Sequence, residues 1–221
     1  SIPMDVLNSF KIKETLNMDI WPNNKLNPDV QKKLMKIAKD FLRDLEIPKN
    51  IKIKDIIFTG SLANYNWSKF SDIDLHIIID FNQFDIEPDF LDAYFYAQKS
   101  IWNQEHDITI FDYPIELYVQ DVAEKLTATA VYSIQNDKWL KKPIREKFTV
   151  DKQAIKAKAD EFISQLKDIR DAYKKDKFKA VVKKVKTLKD KIKQMRKAGL
   201  ESGGEFSNEN LVFLYSLVLL L

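Results

Sequence analysis

A strand that ends in a Gly-Ser pair, followed ten residues later by an Asp-x-Asp strand, constrains this chain more than any other feature. Residues 55–58 lead into Gly60-Ser61. After the ten-residue connection, an alternating apolar run extends from Ile73 to Ile79. Because successive side chains of a strand point to opposite faces, Asp72 and Asp74 lie on one face, about 7 Å apart. Two carboxylates so placed repel each other, and a divalent cation between them relieves that repulsion.

A third carboxylate lies on a later alternating stretch, residues 114–120. Glu116 falls on the face opposite the apolar side chains of Ile115, Leu117 and Val119. If this strand lies beside the Asp-x-Asp strand, Glu116 joins the two aspartates, and three such carboxylates hold two Mg²⁺ or Mn²⁺ ions. Asp107 and Asp112 are alternative third carboxylates, but both flank strand ends, so Glu116 is preferred.

The Gly60-Ser61 turn is typical of a phosphate site. Glycine lets the backbone approach a ligand closely, and the backbone amides and the serine hydroxyl donate hydrogen bonds. We expect a short helix from Ser61 to about Asn66, which adds further amides at its start. A phosphate cradle beside a divalent metal site suits transfer of a phosphoryl or nucleotidyl group.

This combination of Gly-Ser, ten residues, Asp-x-Asp and a later strand glutamate resembles the nucleotidyltransferase superfamily that includes DNA polymerase β. The core resemblance covers roughly residues 51–121. Between Phe58 and Pro143 the chain is more closely similar to predicted nucleotidyltransferases of tailed phages, through the segments 59–66, 71–76, 101–103, 116–121 and 131–134 and through Trp139. Ala128-Thr129-Ala130 departs from the Ser/Thr-Gly pair expected before residue 131.

The resemblance implies a fold and an activity. The fold is α+β, a nucleotidyltransferase mixed sheet flanked by helices, with a C-terminal helical lobe. The activity is metal-dependent transfer of a nucleoside monophosphate from an NTP to a hydroxyl acceptor, with release of pyrophosphate. ATP is one candidate NTP. Asp72, Asp74 and Glu116 would be catalytic and metal-ligating, whereas Gly60 and Ser61 would bind the nucleotide. The acceptor stays open among RNA, a second nucleotide, a small molecule and a protein side chain.

Charge is distributed unevenly along the chain. Residues 151–200 carry 17 Lys/Arg against 7 Asp/Glu, whereas the remaining residues carry 19 against 26. An acidic half beside a basic helical half suits a polyphosphate substrate with metal, and the basic half is a candidate RNA-binding surface. Lys179, Lys183 and Lys184 are candidates to offset the charge of the triphosphate.

Composition excludes several classes of site. The chain has no Cys, so disulfides and Cys-based zinc sites are excluded, and its two His residues cannot build a metal site alone. Hydrophobic residues make up 45 % of the chain, enough for a folded core. No basic leader followed by an apolar segment is present near residue 1, so a cytoplasmic protein is expected, in the host cytoplasm if a phage encodes it.

Helical patterns divide the chain into two expected domains. Residues 1–145 form the catalytic domain with an N-terminal arm anchored by Trp21, and residues 146–221 form the helical lobe. Asn27-Pro28 starts a helix that carries one apolar stripe from Val30 to Leu45 and stops before Pro48. Another helix begins near Pro88 and carries one apolar stripe of Phe90, Tyr94, Ala97 and Ile101, with Leu91, Phe95 and Trp102 beside it; this aromatic density is typical of a core. A hairpin about Asp112-Tyr113 and a strand at 131–134 are expected, followed by a loop at Trp139. Long helices are expected at 152–173 and 177–198, the second ending at Gly199.

The last residues are apolar. A turn at 202–204 precedes an expected helix over 208–221, whose final eleven residues are almost wholly apolar. Eleven residues are too few to span a bilayer, so no membrane association is expected. The segment either packs against the protein or meets a protein partner.

Two other classes of function remain as alternatives. One is a catalytically silent nucleotide- or RNA-binding module that has kept the fold. The other is an antitoxin-like partner protein. The intact set Asp72, Asp74 and Glu116 favours the enzyme.

Overall fold

The computed structural model of the protein describes residues 12–69, 71–145 and 152–203. These residues divide into two compact units, one within residues 12–146 and one within residues 147–221. The domain boundary expected after residue 145 falls at residues 146–151, which lie outside the described residues.

The first unit is α+β and is built on a mixed sheet. Its six strands are β1 Ile53–Thr59, β2 Ile73–Ile79, β3 Thr109–Ile110, β4 Tyr113–Asp121, β5 Val131–Ser133 and β6 Lys138–Lys141. Their order across the sheet is β3-β4-β2-β1-β5-β6, and only the β2–β4 pair is parallel. The expectation that β1, β2 and β4 are neighbours in a mixed sheet is confirmed.

One face of β2 belongs to the core. Its four isoleucine and leucine side chains at alternate positions are fully buried, while the side chains between them are only half-buried. Helix α1, Pro28–Asp44, supplies apolar side chains to the same core cluster. Asn27 caps this helix by accepting a hydrogen bond from the backbone N–H of Asp29 at 3.0 Å, as the sequence predicts. The buried stripe from Val30 to Phe41 is confirmed.

Trp21 anchors the segment that precedes α1. Its indole is fully buried and donates a hydrogen bond to the carbonyl of Leu62 at 2.6 Å. Its ring stacks on Trp139 with centroids 4.5 Å apart and packs against Phe58 at 5.3 Å. The anchoring prediction is confirmed. The loop predicted at Trp139 is wrong, because this residue lies in β6, which pairs with β5.

Helix α2, Pro88–Glu105, buries one of its two predicted apolar stripes. Phe90, Tyr94 and Ile101 are 71 %, 45 % and 49 % exposed. The adjacent stripe of Leu91, Phe95 and Trp102 is buried instead. Both stripes are apolar at helical spacing, so the sequence does not distinguish them. The packing decides, because the Trp102 ring meets Phe41 of α1 edge-on at 5.4 Å.

The β3–β4 hairpin turns one residue earlier than predicted. Phe111 and Asp112 are its two central residues, with φ of 50° and 65°, and Tyr113 is already in β4. Two positive φ values are what a two-residue hairpin turn requires, since its twist then matches that of the strands.

The second unit contains two long helices, α3 Lys152–Lys174 and α4 Phe178–Gly203. They contact each other across a short turn at Asp176, so the predicted helical pair is confirmed. The predicted end at Gly199 is wrong, because α4 continues through this residue. One glycine costs a helix about 1 kcal/mol, and the helix-forming residues around it offset that cost. The expected helix over 208–221 lies outside the described residues. Within the described parts of the chain, no helix combines the length and apolarity needed to cross a membrane.

Candidate metal centre

Strand register brings the predicted carboxylates together. Asp74 on β2 is the direct partner of Glu116 on β4 and of Thr59 on β1. Residues paired in this way across a sheet direct their side chains to the same face. Asp72 precedes β2 by one residue and has the same parity as Asp74, so all three carboxylates meet on one face.

The three side chains form a compact set of oxygen donors. Carboxylate oxygens of Asp72, Asp74 and Glu116 all lie within 4.8 Å of one another, and each side chain is half-buried. Hard divalent cations such as Mg²⁺ take oxygen ligands at about 2.0–2.1 Å, so oxygens spaced in this way can share one ion or bridge two. Within the described ranges, no other group of three acidic or His side chains is as close. Asp107 and Asp112 are not part of the group.

Gly60 is required by its close approach to Asp74. Its backbone has φ 85° and ψ −172°, a region that essentially only glycine occupies. A Cβ atom placed on Gly60 would lie 2.1 Å from Oδ2 of Asp74. The sequence argument assigned this glycine to phosphate binding, whereas the approach seen in the structure is to a carboxylate of the candidate metal centre.

Ser61 is tied to the loop before β2. Its hydroxyl donates to the hydroxyl of Ser71 at 2.7 Å, and that hydroxyl in turn accepts from the backbone N–H of Ser68 at 2.9 Å. The helix predicted from Ser61 to Asn66 is one 3₁₀ turn that ends at Ala63. This connection holds the Gly60-Ser61 turn against the residues that lead into Asp72.

Tyr118 holds Glu116 from two residues further along β4, on the same face of the strand. Its hydroxyl donates a hydrogen bond to Oε2 of Glu116. Its ring stacks on that of His76 with centroids 4.8 Å apart. Burial, followed by the nearby Glu116 carboxylate, raises the pKa of the Tyr118 phenol, so the phenol remains a proton donor. The sequence places Tyr118 on the face of Glu116, but the hydrogen bond itself is not visible there.

Lys99 of α2 is a cation that the sequence argument missed. Its Nζ lies 3.6 Å from the centroid of the Tyr118 ring, a cation–π contact, and the side chain is half-buried. Burial lowers the pKa of Lys99, whereas Glu116, Asp74 and Asp72 act in the opposite direction. Lys99 therefore belongs to the electrostatic surroundings of the carboxylates. No sequence motif marks it, because only the packing of α2 brings it there.

His76 and Gln120 continue the same face of the sheet. Nδ1 of His76 lies 2.7 Å from Oε1 of Gln120. Burial lowers the pKa of His76, and the hydrogen bond to Gln120 opposes that effect. His76 therefore lies on the same face of the sheet as Asp74 and Glu116. His106 has a structural role instead, since its ring stacks on that of Trp102 at 4.2 Å and its Nδ1 lies 2.9 Å from the Trp102 carbonyl oxygen.

A cavity of about 260 Å³ lies between α2 and β4, close to the carboxylates but lined by none of them. Tyr118 connects the two, because its ring lines the cavity and its hydroxyl contacts Glu116. The cavity is lined by His76, Asp92, Phe95, Tyr96, Lys99, Tyr118, Val119, Gln120 and Glu124.

The predicted nucleotide-binding lysines lie in the second unit. Lys179, Lys183 and Lys184 are all exposed on α4. Their assignment to a triphosphate stays a prediction.

Comparisons with known proteins do not assign the chain to a family. The sequence matches no protein-family model and has no significant match among curated proteins. No solved structure matches the fold significantly.

Proposed function

We propose that this protein is a metal-dependent nucleotidyltransferase, which moves a nucleoside monophosphate from an NTP to a hydroxyl acceptor and releases pyrophosphate. The observation that carries the proposal is the set Asp72, Asp74 and Glu116, whose carboxylate oxygens lie within 4.8 Å of one another on neighbouring strands. The Gly60-Ser61 turn at the end of β1 adds a candidate phosphate cradle beside it. The resemblance to the polymerase β superfamily and to its phage members points the same way.

The donor set fits Mg²⁺ or Mn²⁺, because it consists only of carboxylate oxygens. Bound divalent ions would lower the pKa of the attacking hydroxyl and offset charge on the phosphates. Asp72, Asp74 and Glu116 would hold them. The turn amides would bind the β- and γ-phosphates, and the Ser61 hydroxyl would join them by turning from Ser71 toward the ligand.

The proposed transfer needs no reactant other than the NTP and the acceptor. The acceptor oxygen forms a bond to the α-phosphorus while the bond between that phosphorus and the β-phosphate oxygen breaks. Pyrophosphate leaves, and the hydroxyl proton passes to Glu116, which the hydrogen bond from Tyr118 keeps in place.

Nucleotide binding with and without metal tests the proposal. Calorimetric titration with each NTP should give tighter binding in Mg²⁺ or Mn²⁺ than in EDTA, and Asp74→Asn should remove the difference. Equal affinity with and without metal for every NTP would contradict the proposed metal centre. Incubation with labelled NTP, with and without RNA, then separates the enzyme from a catalytically silent binding module, which binds the NTP but forms no product.

A further inference from the structure

The position of the cavity relative to the candidate metal centre indicates what enters it. Strand β2 lies between β1, which carries Gly60-Ser61, and β4, which carries Glu116. Adjacent strands are about 4.8 Å apart, so the turn and Glu116 are on opposite sides of Asp74 and separated by roughly 10 Å. In-line displacement requires the attacking and leaving oxygens on opposite sides of the phosphorus. If pyrophosphate leaves on the β1 side, the acceptor arrives on the β4 side, where the cavity lies.

The size of the cavity restricts the acceptor. Its volume is about 260 Å³. A cavity of about 150 Å³ accepts benzene, and sites for drug-sized ligands begin at about 300 Å³. One ring-sized group therefore fits. Tyr96, whose side chain is 68 % exposed, presents an aromatic surface on which the C–H face of such a ring can pack.

The polar lining restricts the acceptor further. Asp92, Glu124 and the Gln120 amide oxygen are hydrogen-bond acceptors, which suits a ligand with several hydroxyl donors. Burial and then neighbouring carboxylates raise the pKa of both Asp92 and Glu124. A phosphodiester or sugar phosphate would add another negative charge to this end of the cavity. The acceptor is therefore neutral or positively charged there.

The charges of the cavity are ordered along its length. Lys99 and Asp92 are seven residues apart on α2, which separates them by about 10 Å along the helix axis. Lys99 lies at the end that adjoins Glu116, over the Tyr118 ring. The acidic groups lie at the other end.

We propose that this cavity is the acceptor site of the transferase and that it takes a ring-sized polyol without a negative charge. The proposal rests on the proposed function. One hydroxyl of the polyol forms the new bond to the α-phosphorus, pyrophosphate leaves, and the proton goes to Glu116. The remaining hydroxyls donate hydrogen bonds to Asp92, Glu124 and Gln120.

Ligand-detected NMR tests the site without any need for activity. Saturation-transfer difference spectra are recorded with D-glucose, D-glucosamine, myo-inositol, glucose 6-phosphate and a ribodinucleotide. We expect signals from at least one of the first three and none from the two phosphates. Tyr96→Ala should weaken that binding about fivefold, as loss of one aromatic contact does. Phe90→Ala, an equally exposed aromatic of the same helix that does not line the cavity, should leave it unchanged.

Reversal of the acidic charges of the cavity provides a second test of the polyol site. Replacement of both Asp92 and Glu124 by Lys should abolish polyol selectivity and create binding of glucose 6-phosphate. Asp85→Lys, at an exposed carboxylate outside the cavity lining, is the matched control and should behave as wild type. Melting temperatures establish that each variant is folded.

The possible outcomes separate the two proposals. Mn²⁺ binding to wild type and Asp74→Asn, followed by electron paramagnetic resonance, reports on the metal centre alone. Binding of Mn²⁺ with no signal from any polyol, or preference for the ribodinucleotide, overturns the polyol acceptor site and leaves the metal centre standing. Polyol binding that Tyr96→Ala does not change also overturns it. Polyol signals without Mn²⁺ binding would overturn the proposed function instead.

Discussion

Replacement of Gly60 by alanine tests the candidate metal centre indirectly, because Gly60 lies against the carboxylate of Asp74. The new Cβ would lie 2.1 Å from Oδ2 and 3.0 Å from Cγ of Asp74, whereas Cβ atoms essentially never come closer than 3.0 Å to another heavy atom. The Asp74 carboxylate must therefore move by about 1 Å. The backbone conformation, φ 85° and ψ −172°, adds strain that glycine does not have.

Both effects have estimable sizes. A non-glycine residue in this region costs about 1–3 kcal/mol, and the stiffer unfolded chain of alanine offsets about 0.4–1 kcal/mol of that. The net loss in the free energy of unfolding is then about 1–2 kcal/mol, which lowers Tm by roughly 2–8 °C for a protein of this size. A ligand displaced by about 1 Å weakens metal binding more, so we expect Mn²⁺ affinity to fall at least about tenfold.

Two measurements on one protein sample check this prediction. Electron paramagnetic resonance gives the Mn²⁺ affinity, and thermal unfolding gives Tm. Ser61→Ala is the matched control, because it removes only the 2.7 Å hydrogen bond to Ser71 and leaves the backbone and Asp74 in place. It should lose about 1 kcal/mol of stability and keep its Mn²⁺ affinity. If Gly60→Ala bound Mn²⁺ as tightly as wild type, the close contact with Asp74 would have no bearing on a metal centre, and the reasoning would be refuted.

Three further predictions follow from the same face of the sheet. Asp74→Asn should abolish transfer of labelled nucleotide while Tm stays equal or rises, because it removes one of three neighbouring negative charges; a lower Tm would mean that this carboxylate is structural. Tyr118→Phe should lower Mn²⁺ affinity about tenfold, since a hydrogen bond to a charged carboxylate contributes about 1.5–3 kcal/mol, and unchanged affinity would show that Glu116 needs no support. The Asp92 carboxyl group has a higher pKa in the folded protein than in the unfolded chain, so it binds a proton more readily when the protein is folded. The contribution of Asp92 to stability is therefore present below the unfolded pKa and is lost as pH rises through the folded pKa. Asp92→Asn should therefore raise Tm at pH 7 relative to wild type and lose that advantage near pH 4, and an advantage that did not depend on pH would contradict this assignment.

Much of the candidate site follows from local periodicity. Alternation along one strand is enough to place Asp72 and Asp74 on a common face. The position of Glu116 inside a strand, rather than at a strand end, favours it over Asp107 and Asp112. The cap of α1 at Asn27 and its buried stripe are equally local, because a helix repeats every 3.6 residues whatever surrounds it. These features need no knowledge of the rest of the chain.

Features that depend on which surfaces meet were predicted wrongly or could not be predicted from the sequence. Helix α2 carries two adjacent apolar stripes, and the contact between Trp102 and Phe41 determines which one is buried. That choice also sets where Lys99 points, and so brings its ammonium over Tyr118. Trp139 gave no strand signal, because β6 is defined by its pairing with β5 and not by its own pattern.

By itself, the sequence determined the α+β class of elements, the common face of Asp72 and Asp74 and the cap of α1 at Asn27. Tertiary structure alone decided the register that pairs Asp74 with Glu116, the support of Glu116 by Tyr118, and the cavity between α2 and the sheet. The physical reason is that side-chain direction within a strand or helix is a local property with a fixed period. Which faces come into contact depends on complementary packing between residues distant in sequence, and one-dimensional periodicity does not encode it.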